Sequence, residues 1–150
     1  MSRENVERVR GILEDFRADK SEFDAEGMLT KIAGEELMDP DIEWDASEAA
    51  FDLSGVHRGV EAVRRWWGEW LAAWETLEFE HELVDAGDRV VALIDQRMRG
   101  LNTGIEVSLG KYAHVYTFRD GLVVHWKLYL RQSEALEAVG LSEQDARTGR

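Results

Sequence analysis

Residues 111–130 read KYAHVYTFRDGLVVHWKLYL. Two runs of alternating apolar and polar residues meet at Arg119-Asp120-Gly121, the pattern of two antiparallel strands joined by a tight turn. With Gly121 in the left-handed position of a three-residue loop, Phe118 faces Leu122, Tyr116 faces Val124 and His114 faces Trp126. Alternation then puts Tyr112, His114, Tyr116 and Phe118 on one face with Val124, Trp126, Leu128 and Leu130. A histidine and two tyrosines among large apolar groups on a buried face are what a ligand pocket looks like in sequence.

Working upstream, residues 89–100 continue the alternation and add Val90, Ala92, Ile94, Gln96 and Met98 to that inner face. Phe79, His81 and Leu83 alternate with Glu78, Glu80 and Glu82, a half-buried strand with an acidic outer face. Before it the period changes from 2 to 3.6. Over residues 60–76, Val63, Trp67, Trp70, Trp74 and Leu77 recur at alternating steps of four and three, one apolar helical stripe with Trp66 beside it. Val6, Val9, Ile12, Leu13 and Phe16 predict an amphipathic helix over residues 4–16, and Phe23, Leu29 and Ile32 a second over 21–33, ended by Gly34. Pro40 introduces a brief strand at 41–45, followed by a polar connection to Gly59. A last helix spans 133–139 and stops at Gly140. Residues 1–141 read as one domain and 142–150 as a polar tail. Helices followed by antiparallel strands describe an α+β domain, its sheet a meander with the tryptophan helix as lid.

Composition bounds what such a domain does. Among 150 residues, 44% hydrophobic and 33% charged, there is no cysteine and the formal net charge is −13. A polyanionic surface without a basic stripe repels phosphate, so neither nucleic acid nor an acidic membrane surface is an expected partner. No apolar run approaches the roughly 20 residues of a membrane span. Lack of cysteine removes disulfides and thiolate chemistry and is compatible with a cytoplasmic location. The histidines include no His-x-His or His-x-x-x-His pair, so neither a metal nor another cofactor is expected.

Four segments carry a resemblance: DPDIEW at 39–44, HRGVEAVRRWWGEW at 57–70, DAGDRVVALIDQRMRG at 85–100 and AHVYTFRDGLVVHW at 113–126. Together, and in this order, they resemble the SnoaL-like polyketide cyclases of the nuclear transport factor 2-like superfamily. The resemblance implies a strongly curved, mostly antiparallel sheet wrapped into a cone and closed by the N-terminal helices and the long tryptophan-rich helix. It implies a pocket for a small, largely apolar or carbonyl-containing molecule, and often a homodimer. Members include cofactor-independent isomerases, cyclases, dehydratases, epoxide hydrolases and pure binding subunits.

The same resemblance suggests roles. His114 falls where the ketosteroid isomerases hold the acid that helps stabilise an enolate, with Tyr116 as a donor beside it. A buried histidine satisfied by a tyrosine hydroxyl or the backbone is the competing reading. Asp45, or its neighbour Glu43, falls where the isomerases' base lies, and a carboxylate desolvated beside Trp44 would have a raised pKa. Trp44, His57, Trp67, Trp70, His81, Gln96, Tyr112, Trp126 and Leu128 complete the expected ligand-binding set. The tryptophan stripe is explained equally well as core. One departure stands out: the last strand of the cyclases and epoxide hydrolases carries an aspartate at the position of Leu128, and the acidic position before the final helix is Arg131 here. Acid–base chemistry by that route is therefore disfavoured. A catalyst, a non-catalytic binding domain and a dimeric scaffold with a closed core remain as readings. For the dimer, Val91, Leu93, Ala113, Val115, Thr117, Val123 and Tyr129 form a partly apolar outer face, with Asp95, Arg97 and Arg99 at its rim.

Overall fold

The computed structural model describes residues 2–15, 37–49, 53–72, 74–100 and 103–142. Among them the chain forms helix α1 (Ser2–Asp15), strands β1 (Met38–Asp45) and β2 (Val56–Arg58), and helix α2 (Val60–Ala72). Strands β3 (Trp74–Ala86), β4 (Arg89–Gly100), β5 (Glu106–Arg119) and β6 (Leu122–Tyr129) and helix α3 (Gln132–Ala138) follow. The α+β class and the curved, open sheet agree with the sequence. The helix expected over 21–33 lies outside the described residues.

In space the strands run β2-β1-β6-β5-β4-β3. Strands β3 to β6 form the expected antiparallel meander. Strand β1 joins its far edge parallel to β6, so the sheet is mixed, and β2, hidden in the supposed polar connection, pairs antiparallel with β1. Helices α1 and α2 close the inner face, where Val9, Leu13, Val63, Trp66 and Trp67 join the buried side chains of β1, β4, β5 and β6.

Three local details differ from expectation. First, Arg119 pairs with Leu122, so the β5–β6 turn has two residues, and both Asp120 (φ 52°) and Gly121 (φ 80°) are left-handed. Phe118 then pairs with Val123 and Thr117 with His125, leaving Val124 as a bulge. The bulge keeps Val123 and Trp126 both inward, and Tyr116, not His114, faces Trp126 while His114 faces Leu128. Second, α2 stops at Ala72 and Trp74 opens β3. Strand β4 presents backbone groups along its whole length, and β3 extends to pair with them from Ala86 back to Trp74.

Third, the outer apolar patch is covered from within the chain. Val91, Leu93, Ala113 and Val115 are buried beneath Ala135, Leu136 and Val139 of the α3 segment. The helix ends in a Schellman motif, with Leu141 N bonded to Leu136 O (2.8 Å), Gly140 N to Glu137 O (3.0 Å) and Gly140 at φ 79°. Arg89 donates to the Ala138 carbonyl at 2.9 Å and pins that end to the sheet. The surface read as a dimer face is thus occupied in large part by α3, and Val123 belongs to the inner core instead.

Helix α1 is tied to the hairpin by Arg8, whose guanidinium donates to the Gly121 carbonyl. A Cβ on Gly121 would collide with that guanidinium and sit at an unfavourable φ. Gly121→Ala is therefore expected to lower the unfolding free energy by about 1–2 kcal/mol, read from urea denaturation. An unchanged midpoint would mean that neither the turn nor the Arg8 tie matters to stability.

Candidate functional site

Strand register builds the site in rows across the inner face. His57, Trp44, Trp126, Tyr116 and Val90 are successive partners across β2, β1, β6, β5 and β4. Leu128, His114, Ala92 and Leu83 form the next row, and Tyr112, Ile94 and His81 the one after. From above, α2 contributes Trp66, Trp67 and Trp70. The result is an aromatic box with His114 at its centre.

His114 is buried, and its ring lies 5.4–6.1 Å from those of Trp44, Trp67, Tyr112, Tyr116 and Trp126, at interplanar angles of 61–84°. The walls also pack on one another. Trp126 stacks between Trp67 (5.2 Å, 20°) and Tyr116 (4.9 Å, 28°), and Trp44 touches Trp66, Trp67 and Trp126 at 4.9–5.5 Å. Each such pair is worth roughly 0.5–1.5 kcal/mol beyond area burial. Trp66, which the sequence placed only beside the stripe, belongs fully to the box, and its indole N–H donates to the Leu53 carbonyl at 2.7 Å. An apolar stripe on a core-facing helix is wide enough to have included it.

Polar atoms inside the box are poorly served. Trp44 Nε1, Trp126 Nε1, Tyr116 Oη and His114 Nδ1 are all buried and make no hydrogen bond. The Trp126 N–H lies near enough to Tyr116 to ease its ionisation slightly but not in bonding geometry. Tyr112 does find a partner, donating to Gln96 Oε1. Burial dominates the titration of the whole set. It pushes His114 down to about 3 from its ordinary 6.5, and pushes both Tyr112 and Tyr116 well up, Tyr116 further raised by the proximity of Tyr112. At neutral pH the box holds a neutral imidazole and two neutral phenols.

The expected carboxylate base is elsewhere. Trp44 points inward, so alternation turns Glu43 and Asp45 to the opposite face. Asp45 Oδ2 pairs with Lys127 Nζ at 3.2 Å and Asp45 Oδ1 accepts from the Ser47 backbone N–H at 3.0 Å. Burial alone would raise its pKa; the Ser47 bonds and the Lys127 ammonium outweigh this and lower it. The raised pKa expected of Asp45 is therefore corrected. Glu43 is held by Arg58 (3.1 Å) and His125 (3.2 Å) on the same outer side.

Among the remaining expected residues, Leu128 packs half-buried on the box as the strand partner of His114. His57 sits half-buried on edge strand β2 beside Trp44, and His81 half-buried on β3 opposite Ile94. Neither is among the ring neighbours of His114. Among the described residues no three His, Cys, Asp or Glu side chains converge as a metal site would require. No helix among them is long and apolar enough to cross a membrane.

A void remains beside His114, bounded by Leu13, Trp67, Trp70, Ile94, Gln96 and Tyr112. Its volume is about 20 Å³, room for one water-sized group. The pocket expected for a small molecule would ordinarily offer several hundred Å³; here the indole rings of Trp44, Trp67 and Trp126 pack against one another across the inner face instead.

Compared with known families, residues 21–126 match the model of the SnoaL-like domain. Among solved structures, an NTF2-like protein of unknown function from Burkholderia pseudomallei K96243 superposes with a TM-score of 0.66 at 21% identity, over 91% of this chain and 98% of that one. TerC, crystallised with polyporic acid, gives 0.62 at 22% identity over 91% and 98%. A de novo designed protein with a curved β-sheet gives 0.55 at 14% identity over 95% and 96%. Identities this low carry the fold alone, and a designed chain that shares it makes the point sharply. Among curated proteins, none matches this chain.

Proposed function

We propose that this chain, which belongs to the SnoaL-like domain family within the nuclear transport factor 2-like superfamily, binds a small, largely apolar, carbonyl-containing molecule in its aromatic box. Binding, not acid–base turnover, is the activity this reading assigns. One observation carries it: four buried polar atoms without hydrogen-bond partners belong to His114 and to three rings that pack around its imidazole, those of Trp44, Trp126 and Tyr116. Leaving a buried donor unmade costs roughly 1–3 kcal/mol, and a ligand oxygen among them would recover part of that. Turnover is disfavoured by the same surroundings. Among the described residues neither the box nor the void has a carboxylate, and an imidazole with a pKa near 3 is too weak a base to take a proton beside a carbonyl. TerC, crystallised with polyporic acid, offers a fold-level parallel for small-molecule binding and no more.

Access needs movement, because the resting void is so small. Trp70, half-buried in the lining of the void and edge-on to Trp67 (5.5 Å, 80°), is the side chain whose rotation this reading requires. A homodimer, which the family resemblance implies, would be left with the strip of outer face around His125, Lys127 and Tyr129.

The 20 Å³ void favours a second reading, a scaffold whose core is simply closed. Nuclear magnetic resonance separates the two. Titrating small aromatic ketones should move the indole N–H signals of Trp44 and Trp126 saturably, and His114→Phe should weaken binding by roughly tenfold. If both indole signals stay fixed throughout, the binding reading fails and the closed core stands.

A further inference from the structure

The void beside His114 is small, but its walls are not those of a dry cavity. Its volume is about 20 Å³, and one water needs roughly 10–15 Å³ measured in the same way. Cavities that stay dry are lined by apolar groups. Gln96, Tyr112 and His114 all line this one, and all three are buried.

Each of the three has bonding capacity to spare. Tyr112 gives its hydroxyl hydrogen to Gln96 Oε1. That bond leaves Tyr112 Oη able to accept and the Gln96 NH₂ group able to donate. His114 Nδ1 is buried and makes no hydrogen bond. Burial keeps the imidazole neutral at neutral pH, so one ring nitrogen carries a hydrogen and the other a lone pair. The occupant this calls for is water-sized, accepts from an amide and answers an imidazole in either tautomer. Water meets all of these with two lone pairs and two hydrogens, and buried waters ordinarily make about three bonds.

We propose that this void is the site of one structural water, which accepts from the Gln96 amide and bonds to the His114 imidazole and the Tyr112 hydroxyl oxygen, bridging β4 to β5 on the inner face. The bridge fixes the orientation of the imidazole at the centre of the aromatic box. Held by three buried side chains, the water stays far longer than surface hydration. The inference is independent of the binding reading above and is equally compatible with a closed core.

The test joins a high-resolution crystal structure of the whole protein to water–protein cross-relaxation measured by nuclear magnetic resonance. The void should hold one density peak, about 2.7–3.2 Å from Gln96 Nε2 and from a ring nitrogen of His114. In solution the carbon-bound hydrogens of the His114 ring should show a cross-peak to water with the sign of a bound, slowly exchanging molecule. Gln96→Leu, similar in size and without the donor, should lose both the peak and the cross-peak. Both measurements on the unmodified protein stand even where that variant fails to fold. A void with no density, a void filled by a side chain, or a peak out of bonding range of either Gln96 or His114 would overturn the proposal. Persistence of the water unchanged in Gln96→Leu would overturn it as well. Indole signals that stay fixed during ketone titration bear on the binding reading alone and leave the water in place.

Discussion

Replacing Trp44 by alanine is expected to lower the unfolding free energy by about 3–5 kcal/mol, near the upper end for a core aromatic. The indole is fully buried and contacts the rings of Trp66, Trp67, Trp126 and His114 at 4.9–5.5 Å. It joins β1 to α2 above and to Trp126, its register partner on β6, alongside. Its neighbours are large, rigid and mutually wedged, so they cannot collapse into the space it leaves, and the cavity term stays almost whole. A domain of this size has on the order of 5–15 kcal/mol to lose, so the variant sits close to unfolding at room temperature. Urea denaturation reads the effect. Trp44→Phe, which keeps an aromatic ring and drops the unpartnered indole N–H, should cost less than half as much. Equal losses for the two variants would mean that the ring contacts are not what holds this corner together.

The second large effect is a pH dependence that belongs to His114. In the unfolded chain this imidazole takes up a proton near its ordinary 6.5; in the folded chain burial delays uptake to about 3. Between those values the unfolded state binds more protons, so stability falls as pH falls. His114 therefore leaves stability whole above about pH 6.5 and removes it progressively down to about pH 3. At about 1.4 kcal/mol per pH unit, the full window is worth on the order of 5 kcal/mol. His114→Phe abolishes this share and leaves every other ionisable side chain in place. The difference between the two stability-versus-pH curves should thus slope through the window and be flat above it. Parallel curves would show that the folded protein takes up the proton easily, and that the box is wetter than its burial implies.

Much of this architecture was legible because each segment had one dominant period. Alternation over residues 89–100 reproduces β4 to the residue, and the inner set Val90, Ala92, Ile94, Gln96 and Met98 is buried as read. His114, Tyr116, Trp126 and Leu128 do share one wall. Their register was not legible, because it depends on Asp120 adopting a left-handed backbone and on a bulge at Val124, neither of which alters the hydrophobic pattern. The end of α2 is not legible for a related reason: Trp74 and Leu77 satisfy helical spacing, and only the length of β4 decides that they pair as strand. Asp45 is different, since an inward Trp44 implies an outward neighbour on either side of it, and strand parity alone places the Asp45 carboxylate on the outer face. The size of the void could not be foreseen, because it is set by how three indoles interlock and not by which face they occupy.

The short helix α3 has a consequence for how the chain behaves in company. Beneath its seven residues lie Val91, Leu93, Ala113 and Val115, adjacent on the two central strands β4 and β5. Uncovered, they would form a contiguous water-averse band, the kind of surface through which copies of a protein adhere. The helix is held over that band by a glycine-terminated end and by Arg89. Solubility, in a molecule that carries thirteen net negative charges, hinges on this small latch as much as on charge, and whatever lifts it turns a self-contained surface into an adhesive one.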